Sequence, residues 1–282
     1  MVFTLPTEAK GQNKKALLVG ISNYPSAHEN AWDSIHGTND IRLIAGTLKT
    51  IGFSVTEICD NRATCETIKS ALYSLTSSCK RGDTVYIHFS CHGQPYEDLD
   101  GDEDDGWDES IVPYDAQMRY AKGVYEGEHH ITDDMLSIYF SNIRKAVGPT
   151  GFVCVVIDAC HAGGSSRGEE DEESFYRGTQ SGFTPNGKTY RPRINTQGNF
   201  HVKSMKGMSQ IIRLESCRAY QTNCEILQDG SYYGPLSYYI SKVMSSPSYN
   251  IFSMQWVYEI KKMMDGDGRL IRQNMVYETS IR

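Results

Sequence analysis

The sequence lacks the features that would assign it to several large classes of protein. Its net charge is −7 and it has no basic cluster interleaved with aromatic residues, which argues against nucleic acid as its main partner. No apolar run approaches the ~20 residues that span a bilayer. The N-terminus lacks the basic and then apolar order of a signal peptide. We therefore expect a cytoplasmic protein that binds neither nucleic acid nor membrane.

Disulfide and zinc frameworks also find little support in the sequence. The eight cysteines contain no C-x-x-C pair, a common spacing in structural zinc sites. A chain of 282 residues can bury an adequate core without cross-links, and it shows no export signal. We therefore expect reduced thiols. The question that remains is whether one of them is reactive.

One apolar run stands out, FVCVVID at residues 152–158, which is followed by the small and polar sequence ACHAGG. A run that is apolar on both faces and rich in β-branched residues is typical of a central strand in a parallel sheet, covered by helices on each side. Ligands of such sheets bind beyond the carboxyl ends of the strands. Cys160 therefore lies where the chemistry of an α/β protein is usually found.

A second strand-like run, DTVYIHFS at residues 83–90, is followed by Cys91, His92 and Gly93. Two buried strands would thus deliver a histidine and a cysteine to one edge of the sheet, as a cysteine nucleophile and its base require. We interpret Cys160 as the nucleophile and His92 as the base. The backbone N–H groups of Gly93 and Cys160 could hold the oxyanion of a tetrahedral intermediate. The sequence identifies no Asp or Asn that orients His92, so we expect a Cys–His dyad.

The order of the predicted elements indicates α/β architecture. Strands are predicted at 15–21, 53–58, 83–90, 152–157, 210–215 and within 273–280, and helices at 41–48, 64–75, 132–146, 237–244 and 253–264. The first helix is expected to take its N-cap from Asn39 or Asp40, the second from Thr64 and the third from Thr132. The β-α-β-α-β start implies parallel strands with right-handed crossovers.

Five motifs, in this order along the chain, resemble those of the metacaspases, which are caspase-fold cysteine peptidases. They are FSCHG at 89–93, DGDEDDGWDESIVPYD at 100–115, ITDDM at 131–135, VVIDACHAG at 155–163 and SCRAYQT at 216–222. The resemblance runs from Lys15 to about Ser280. It implies a caspase-like fold with a mostly parallel sheet of about six strands between helices, formed as a single domain over residues 1–282.

The resemblance also divides that domain into a large-subunit-like region (1–162), a linker (163–206) and a small-subunit-like region (207–282). The linker is polar and rich in Gly, Ser and charge, so we expect a flexible loop. The family cleaves after Arg or Lys, and the linker carries several basic residues at which the chain could process itself. These candidates are Arg167, Arg177, Lys188, Arg191 and Arg193.

The family implies the same roles for the cysteine and the histidine, and it implies a pocket for a basic side chain. Asp158, two residues before Cys160, supports that specificity on physical grounds, because a carboxylate attracts a cation and can pair with arginine in two places. By resemblance, Asp40 and Ser90 line the same pocket. A further pocket position, often Cys in the family, falls on Gly37, where we expect a more open wall.

The acidic segment at 97–109 raises the question of calcium, which takes about six to eight oxygen ligands. The spacing of its residues does not match an EF-hand loop. By resemblance to the family, Asp108, Asp133 and Asp134 would hold calcium. The fourth carboxylate of the family falls on Arg167, whose charge could neutralise the other three. The sequence therefore leaves calcium dependence open.

The function expected from the sequence is a cysteine endopeptidase that cleaves protein or peptide substrates after Arg or Lys. Members of the family lack the stable dimer of caspases, so the resemblance implies a monomer. Two alternatives stay open. One is a caspase-fold peptidase of another specificity, for example cleavage after aspartate through a cationic residue such as Arg218. The other is a catalytically silent interaction module that a metal regulates.

Overall fold

The structure is a computed structural model that describes residues 12–25, 31–160, 174–179, 181–192, 199–202, 205–246, 252–270 and 272–281. In chain order its strands are β1 (Lys14–Gly20), β2 (Ser54–Cys59), β3 (Thr84–Ser90), β4 (Gly93–Glu97), β5 (Trp107–Ile111), β6 (Ile131–Thr132), β7 (Phe152–Asp158), β8 (Asn199–His201), β9 (Gln210–Glu215), β10 (Ile226–Gln228), β11 (Ser231–Tyr233) and β12 (Val276–Thr279). The α-helices are α1 (Gly37–Thr50), α2 (Cys65–Ser78), α3 (Asp133–Val147), α4 (Pro235–Met244) and α5 (Met254–Asp265).

The central sheet has the order β2-β1-β3-β7-β9-β12-β8. All neighbouring strands run parallel except β12, which is antiparallel to β9. The predicted α/β class and mostly parallel sheet are confirmed. The sheet has seven strands, and the one beyond the predicted six is β8.

Strand β7 lies in the middle of the sheet and is buried at every position. Its alternate side chains enter two different cores, because successive side chains of a strand face opposite sides. Val153, Val155 and Ile157 join the core that includes α2 and α3. Cys154 and Val156 join the core that includes α1, α4 and α5. The continuous apolar run in the sequence thus reflects burial on both faces.

Helix α1 begins earlier than the predicted N-cap at Asn39 or Asp40, so that prediction is wrong. The helix starts at Gly37, where a Cβ atom would collide with the carbonyl oxygen of Ser90 at the end of β3. Only glycine can approach the strand this closely. Asp40 therefore lies in the first turn of the helix and does not act as its N-cap. By contrast, Thr64 caps α2 by accepting a hydrogen bond from the N–H of Thr67, as the sequence predicts.

Parts of the predicted linker at 163–206 lie within the described residues and contact the rest of the domain. Residues 199–201 form β8, which pairs with β12, and the described residues 174–179 and 181–192 make hydrogen bonds to the body of the domain. None of the helices within the described ranges combines the length and apolar character needed to cross a bilayer. The proposed division at 162 and 207 stays a prediction.

Candidate active site

The ends of β3 and β7 bring the predicted base and nucleophile to one edge of the sheet. Ser90 pairs with Asp158 in the parallel register of these strands, so His92 and Cys160 each lie two residues beyond a paired position. Both are buried, with relative exposures of 2% and 0%. The register of two parallel strands therefore explains why residues far apart in the chain meet at one site.

A main-chain carbonyl orients the imidazole of His92. Its Nε2 lies 2.8 Å from the carbonyl oxygen of Asp33, which can only accept, so Nε2 carries the proton. The ring stacks on Trp32 with 4.9 Å between centroids. Nδ1 is buried and has no hydrogen-bond partner among the described residues. An Nδ1 that is unprotonated and fixed in this way can accept a proton.

The protonation of His92 fits this role. Burial lowers its pKa to about 4, although the hydrogen bond to the Asp33 carbonyl acts in the opposite direction. The imidazole is therefore uncharged at neutral pH. In this neutral state Nδ1 has a lone pair that can accept a proton. The orienting group is a backbone oxygen, which a search of the sequence for an Asp or Asn side chain could not find.

The thiol of Cys160 lies beside a second thiol and shares an acceptor with it. Its Sγ is 2.6 Å from the carbonyl oxygen of Gln221, and Sγ of Cys217 is 3.6 Å from the same oxygen. A hydrogen bond with Cys160, followed by burial, raises the pKa of Cys217 well above its usual value. Cys217 is thus a protonated neighbour of the candidate nucleophile.

The two backbone N–H groups predicted to hold an oxyanion converge on one carbonyl oxygen. The N–H of Gly93 lies 3.1 Å from the main-chain oxygen of Arg177, and the N–H of Cys160 lies 2.9 Å from it. Paired donors at this distance are the geometry of an oxyanion hole. The group they bind is a peptide carbonyl of the chain itself, directly beside the candidate nucleophile.

The side chain of the same arginine fills a closed anionic pocket. Arg177 is 0% exposed, and its guanidinium contacts three carboxylates. Nη2 lies 2.7 Å from Asp40 and 2.8 Å from Glu225, and Nη1 lies 3.7 Å from Oδ1 of Asp158. Nη1 also donates to the hydroxyl of Ser90 at 2.7 Å. Burial lowers the pKa of Arg177, but the carboxylates outweigh it and the pKa is raised.

Three of the predicted pocket residues, Asp40, Ser90 and Asp158, therefore contact one guanidinium. Burial raises the pKa of Asp40 to about 7, against the opposing charge of Arg177. A Cβ atom at Gly37 would collide with the carbonyl oxygen of Ser90, so β3 lies directly against this position. The open wall expected there stays a prediction.

The sequence reasoning missed two groups of this pocket. Glu225 accepts a hydrogen bond from Nε of Arg177 at 3.0 Å. It lies three residues beyond the SCRAYQT motif at 216–222, and this nearness of an acidic residue to a family motif is the signal that could have indicated it. The other is Gly234, at which a Cβ atom would collide with Asp158 and with Nη1 of Arg177. Its close approach carries no distinct signal in the sequence.

The residues before Arg177 pair with the chain at 223–225 as an added strand. The N–H of Arg177 donates to the carbonyl of Asn223 at 3.0 Å, and the N–H of Glu225 donates to the carbonyl of Phe175 at 2.9 Å. Tyr176 and Cys224 form an antiparallel bridge between these bonds. Such strand addition is a common way for a protein to hold an extended peptide.

The residues after Arg177 continue along β4. Gly178 lies opposite Gly93, and a Cβ atom at Gly178 would collide with the carbonyl of Cys160. Farther on, Phe183 is fully buried and stacks on Tyr96 with 5.1 Å between centroids. The peptide bond between Arg177 and Gly178 therefore lies against Cys160. The residues before this bond and those after it are both bound to the rest of the domain.

Of the other basic candidates for self-processing, the described ones lie away from this pocket. Lys188 is 3.4 Å from the carboxylate of Glu97, and Arg191 is exposed. Arg167 and Arg193 fall outside the described residues.

An acidic cluster stands apart from the pocket. Carboxylate oxygens of Asp102, Asp108 and Asp134 lie within 4.8 Å of one another, whereas Asp133 accepts a hydrogen bond from the N–H of Glu109 at 3.2 Å. Burial, followed by the charges of Asp133 and Asp134, raises the pKa of Asp108 to about 7. One carboxylate oxygen of Asp108 is buried without a hydrogen-bond partner in the described part of the chain. A cluster of oxygens with an unsatisfied member fits a hard cation.

Comparisons with known proteins agree with this geometry. Metacaspase-1 of Schizosaccharomyces pombe is 26% identical over 271 residues, covering 82% of this chain and 60% of that protein. Metacaspase-1 of Meyerozyma guilliermondii is 32% identical over 161 residues, covering 53% and 35%. Metacaspase-4 of Arabidopsis thaliana is 30% identical over 193 residues, covering 60% and 41%. The chain thus spans from about a third to three fifths of these relatives.

Two solved structures share the fold. Protein GSU0716 from Geobacter sulfurreducens matches with a TM-score of 0.65 at 19% identity, covering 96% of this chain and 94% of that one. The Drosophila initiator caspase Dronc matches with a TM-score of 0.53 at 9% identity, covering 94% and 78%. A family model described as the caspase domain, Peptidase C14, matches residues 13–265. The similarity to metacaspases agrees with the motifs in the sequence, and the match to the family model shows that the chain belongs to the caspase-domain family.

Proposed function

We propose that the protein is a cysteine endopeptidase that cleaves after arginine or lysine, and that it cuts its own chain between Arg177 and Gly178. One observation carries the proposal. The guanidinium of Arg177 fills an anionic pocket while its carbonyl oxygen accepts hydrogen bonds from the N–H groups of Gly93 and Cys160. The residue before a scissile bond must be held in these two ways, with its side chain in a specificity pocket and its carbonyl oxygen at the oxyanion donors.

The charges of the pocket support basic specificity. Asp40, Asp158 and Glu225 all face the guanidinium, so an aspartate side chain in the same place would meet three like charges. The fork of an arginine can engage several acceptors at once, whereas a lysine presents a single point charge. We therefore infer that arginine is preferred over lysine. The pocket disfavours the alternative of cleavage after aspartate.

The chemistry follows from the groups at the site. Nδ1 of His92 accepts the thiol proton, and Sγ of Cys160 attacks the carbonyl carbon of the arginine. The N–H groups of Gly93 and Cys160 hold the oxygen as it becomes negative. His92 then gives its proton to the nitrogen of the following residue, and the amine leaves. Water hydrolyses the resulting thioester, which releases the carboxylate and restores the thiol.

The same contacts make the uncut chain a blocked precursor. Arg177 occupies the pocket and its carbonyl occupies the donors, so no other substrate can enter in that state. Cleavage after Arg177 frees the new carboxyl terminus, which can then leave the pocket. We propose that self-processing precedes the hydrolysis of other substrates.

Calcium is a further part of the proposal. Asp102, Asp108 and Asp134 would hold the ion, and the unpartnered oxygen of Asp108 supports their fit to it. The ion would supply positive charge that relieves the repulsion among these carboxylates. This set adds Asp102 to the predicted ligands. Asp133 lies next to them, with one oxygen already engaged by a backbone N–H.

Matched fluorogenic peptides that end in Arg, Lys or Asp test the specificity. Self-processed protein should hydrolyse the Arg peptide fastest, the Lys peptide more slowly and the Asp peptide not at all. The Cys160→Ala protein should be inactive on all three. Hydrolysis of the Asp peptide would show that the pocket is wrongly assigned, and silence on every peptide would favour a catalytically silent module. The monomeric state and the cytoplasmic location stay predictions.

A further inference from the structure

We propose that His36 and Tyr232 form a recognition site for an aromatic side chain two residues before the scissile arginine. The preferred substrates would then be peptides of the form aromatic-x-Arg. This inference rests on the proposed function and adds a second specificity element to it. It is carried by the contacts of Phe175, which do not involve the arginine pocket directly.

Phe175 packs against a pair of rings. Its centroid is 4.6 Å from that of His36, edge-on at 88°, and 4.8 Å from that of Tyr232 at 66°. His36 and Tyr232 stack on each other at 5.1 Å with 26° between their planes. Edge-to-face contacts at these distances are favourable for aromatic pairs beyond the area that they bury. Phe175 thus makes two such contacts with one stacked pair.

The backbone pairing fixes which residue of a bound peptide meets this pair. The hydrogen bonds of Phe175 and Arg177 to the chain at 223–225 hold residues 175–177 extended. In an extended peptide, side chains two positions apart point to the same side, and the one between them points away. A peptide that places its arginine in the pocket in the same way therefore presents the residue two positions earlier to His36 and Tyr232.

Groups other than the bound segment hold the ring of His36 and the backbone of Tyr232. The N–H of His36 donates to one oxygen of Glu225 at 2.8 Å, and its Nδ1 lies 2.6 Å from the other. Asn39, in the first turn of α1, donates to the carbonyl of Tyr232 at 3.1 Å. The pair is therefore positioned by α1 and by a pocket carboxylate.

Glu225 links the two recognition elements. One of its oxygens accepts from Nε of Arg177 at 3.0 Å, and the same carboxylate fixes the ring of His36. The arginine and the aromatic residue are thus recognised on either side of one side chain. The side chain of His36 is 31% exposed, so the site is open on one side and can admit Phe, Tyr or Trp.

Peptide kinetics test the inference. Self-processed protein is assayed with acetyl-Phe-Tyr-Arg and acetyl-Ala-Tyr-Arg fluorogenic peptides, and with acetyl-Phe-Ala-Arg as the control at the intervening position. We expect kcat/KM to be about tenfold higher for Phe than for Ala at the first position, given two aromatic contacts. The Tyr232→Ala protein should lower this ratio to about threefold, because the contact with His36 remains, and Tyr232→Phe should retain the full ratio.

Self-cleavage gives a second measure that does not need a processed enzyme. The Phe175→Ala chain should cut itself about tenfold more slowly than wild type, and the Phe175→Tyr chain at nearly the wild-type rate. Equal rates for the Phe and Ala peptides, or a ratio unchanged by Tyr232→Ala, would overturn this inference alone. A protein that cuts neither itself nor any arginyl peptide would overturn the proposed function, and this inference with it.

Discussion

The carbonyl oxygen of Arg177 lies 2.9 Å from the backbone N–H of Cys160. This contact joins a basic residue of the predicted linker to the candidate nucleophile. Arg177 also differs from the described candidates Lys188 and Arg191, because it places its guanidinium among three carboxylates. The chain therefore holds a segment of its own in the position that we propose for a substrate.

Removal of the Glu225 carboxylate should weaken the binding of arginyl substrates. The loss of one partner of a buried, hydrogen-bonded ion pair costs about 2–5 kcal/mol, so Glu225→Gln should lower kcat/KM by about 100-fold or more. Steady-state kinetics of self-processed protein measure this decrease in kcat/KM, and much of it should come from an increase in KM. The control is Glu57→Gln, which removes an exposed ion pair with Lys49. An unchanged KM would show that Glu225 does not contact the substrate.

A methyl group at position 234 should close the arginine pocket. A Cβ atom there would collide with Asp158 and with the guanidinium of Arg177. We expect Gly234→Ala to reduce cleavage after arginine by about 10- to 100-fold, the usual effect of overpacking a tight site. Gly46→Ala is the matched control, because nothing lies within 4 Å of a Cβ atom at that position. Equal activity of the two variants would contradict the proposed pocket.

The imidazole of His92 should remain uncharged well into the acid range. Burial lowers its pKa to about 4, so the neutral form should persist as the pH falls through the ordinary histidine value near 6.5. NMR titration of the labelled histidines in the intact Cys160→Ala protein measures this, with His92→Asn used to assign the resonance. A His92 resonance that titrates near 6.5 would mean that the ring is solvated in the uncut chain.

Calcium should bind the acidic cluster of the intact chain. Isothermal titration of the Cys160→Ala protein should detect binding, and Asp108→Asn should weaken it by about tenfold or more, because it removes a charged ligand. Asp265→Asn, on the surface of α5, serves as the control for loss of one negative charge. No heat of binding to the intact protein, or equal affinity in the two variants, would exclude Asp108 as a ligand.

The sequence predicted the parts of the fold that local pattern controls. The run at 152–158 is apolar at nearly every position because β7 is buried on both faces, and the Thr64 and Thr132 caps follow from helix-end chemistry. The placement of His92 and Cys160 at one edge followed from two strands that end alike. These features depend on neighbouring residues and on the fact that the carboxyl ends of parallel strands lie at the same edge of a sheet.

The remaining parts depend on contacts between distant segments. Five basic residues of the linker looked equivalent in sequence, and the pairing of residues 175–177 with 223–225 brings Arg177 into the pocket. Glu225 enters the pocket through the same pairing, and Gly37 is needed because α1 starts against the end of β3. The group that orients His92 is a backbone carbonyl, which every residue possesses. No local pattern encodes these contacts.

The position of the self-cleavage site shows whether Arg177 is the residue before the scissile bond. Purified wild-type, Cys160→Ala and Arg177→Ala proteins, together with Arg191→Ala as a basic-residue control, are followed by intact mass and N-terminal sequencing. We expect the wild-type and Arg191→Ala chains to be cut between Arg177 and Gly178, and the other two to remain intact at that bond. Cleavage of the Cys160→Ala protein there, or a wild-type chain cut only at another basic residue, would contradict this expectation.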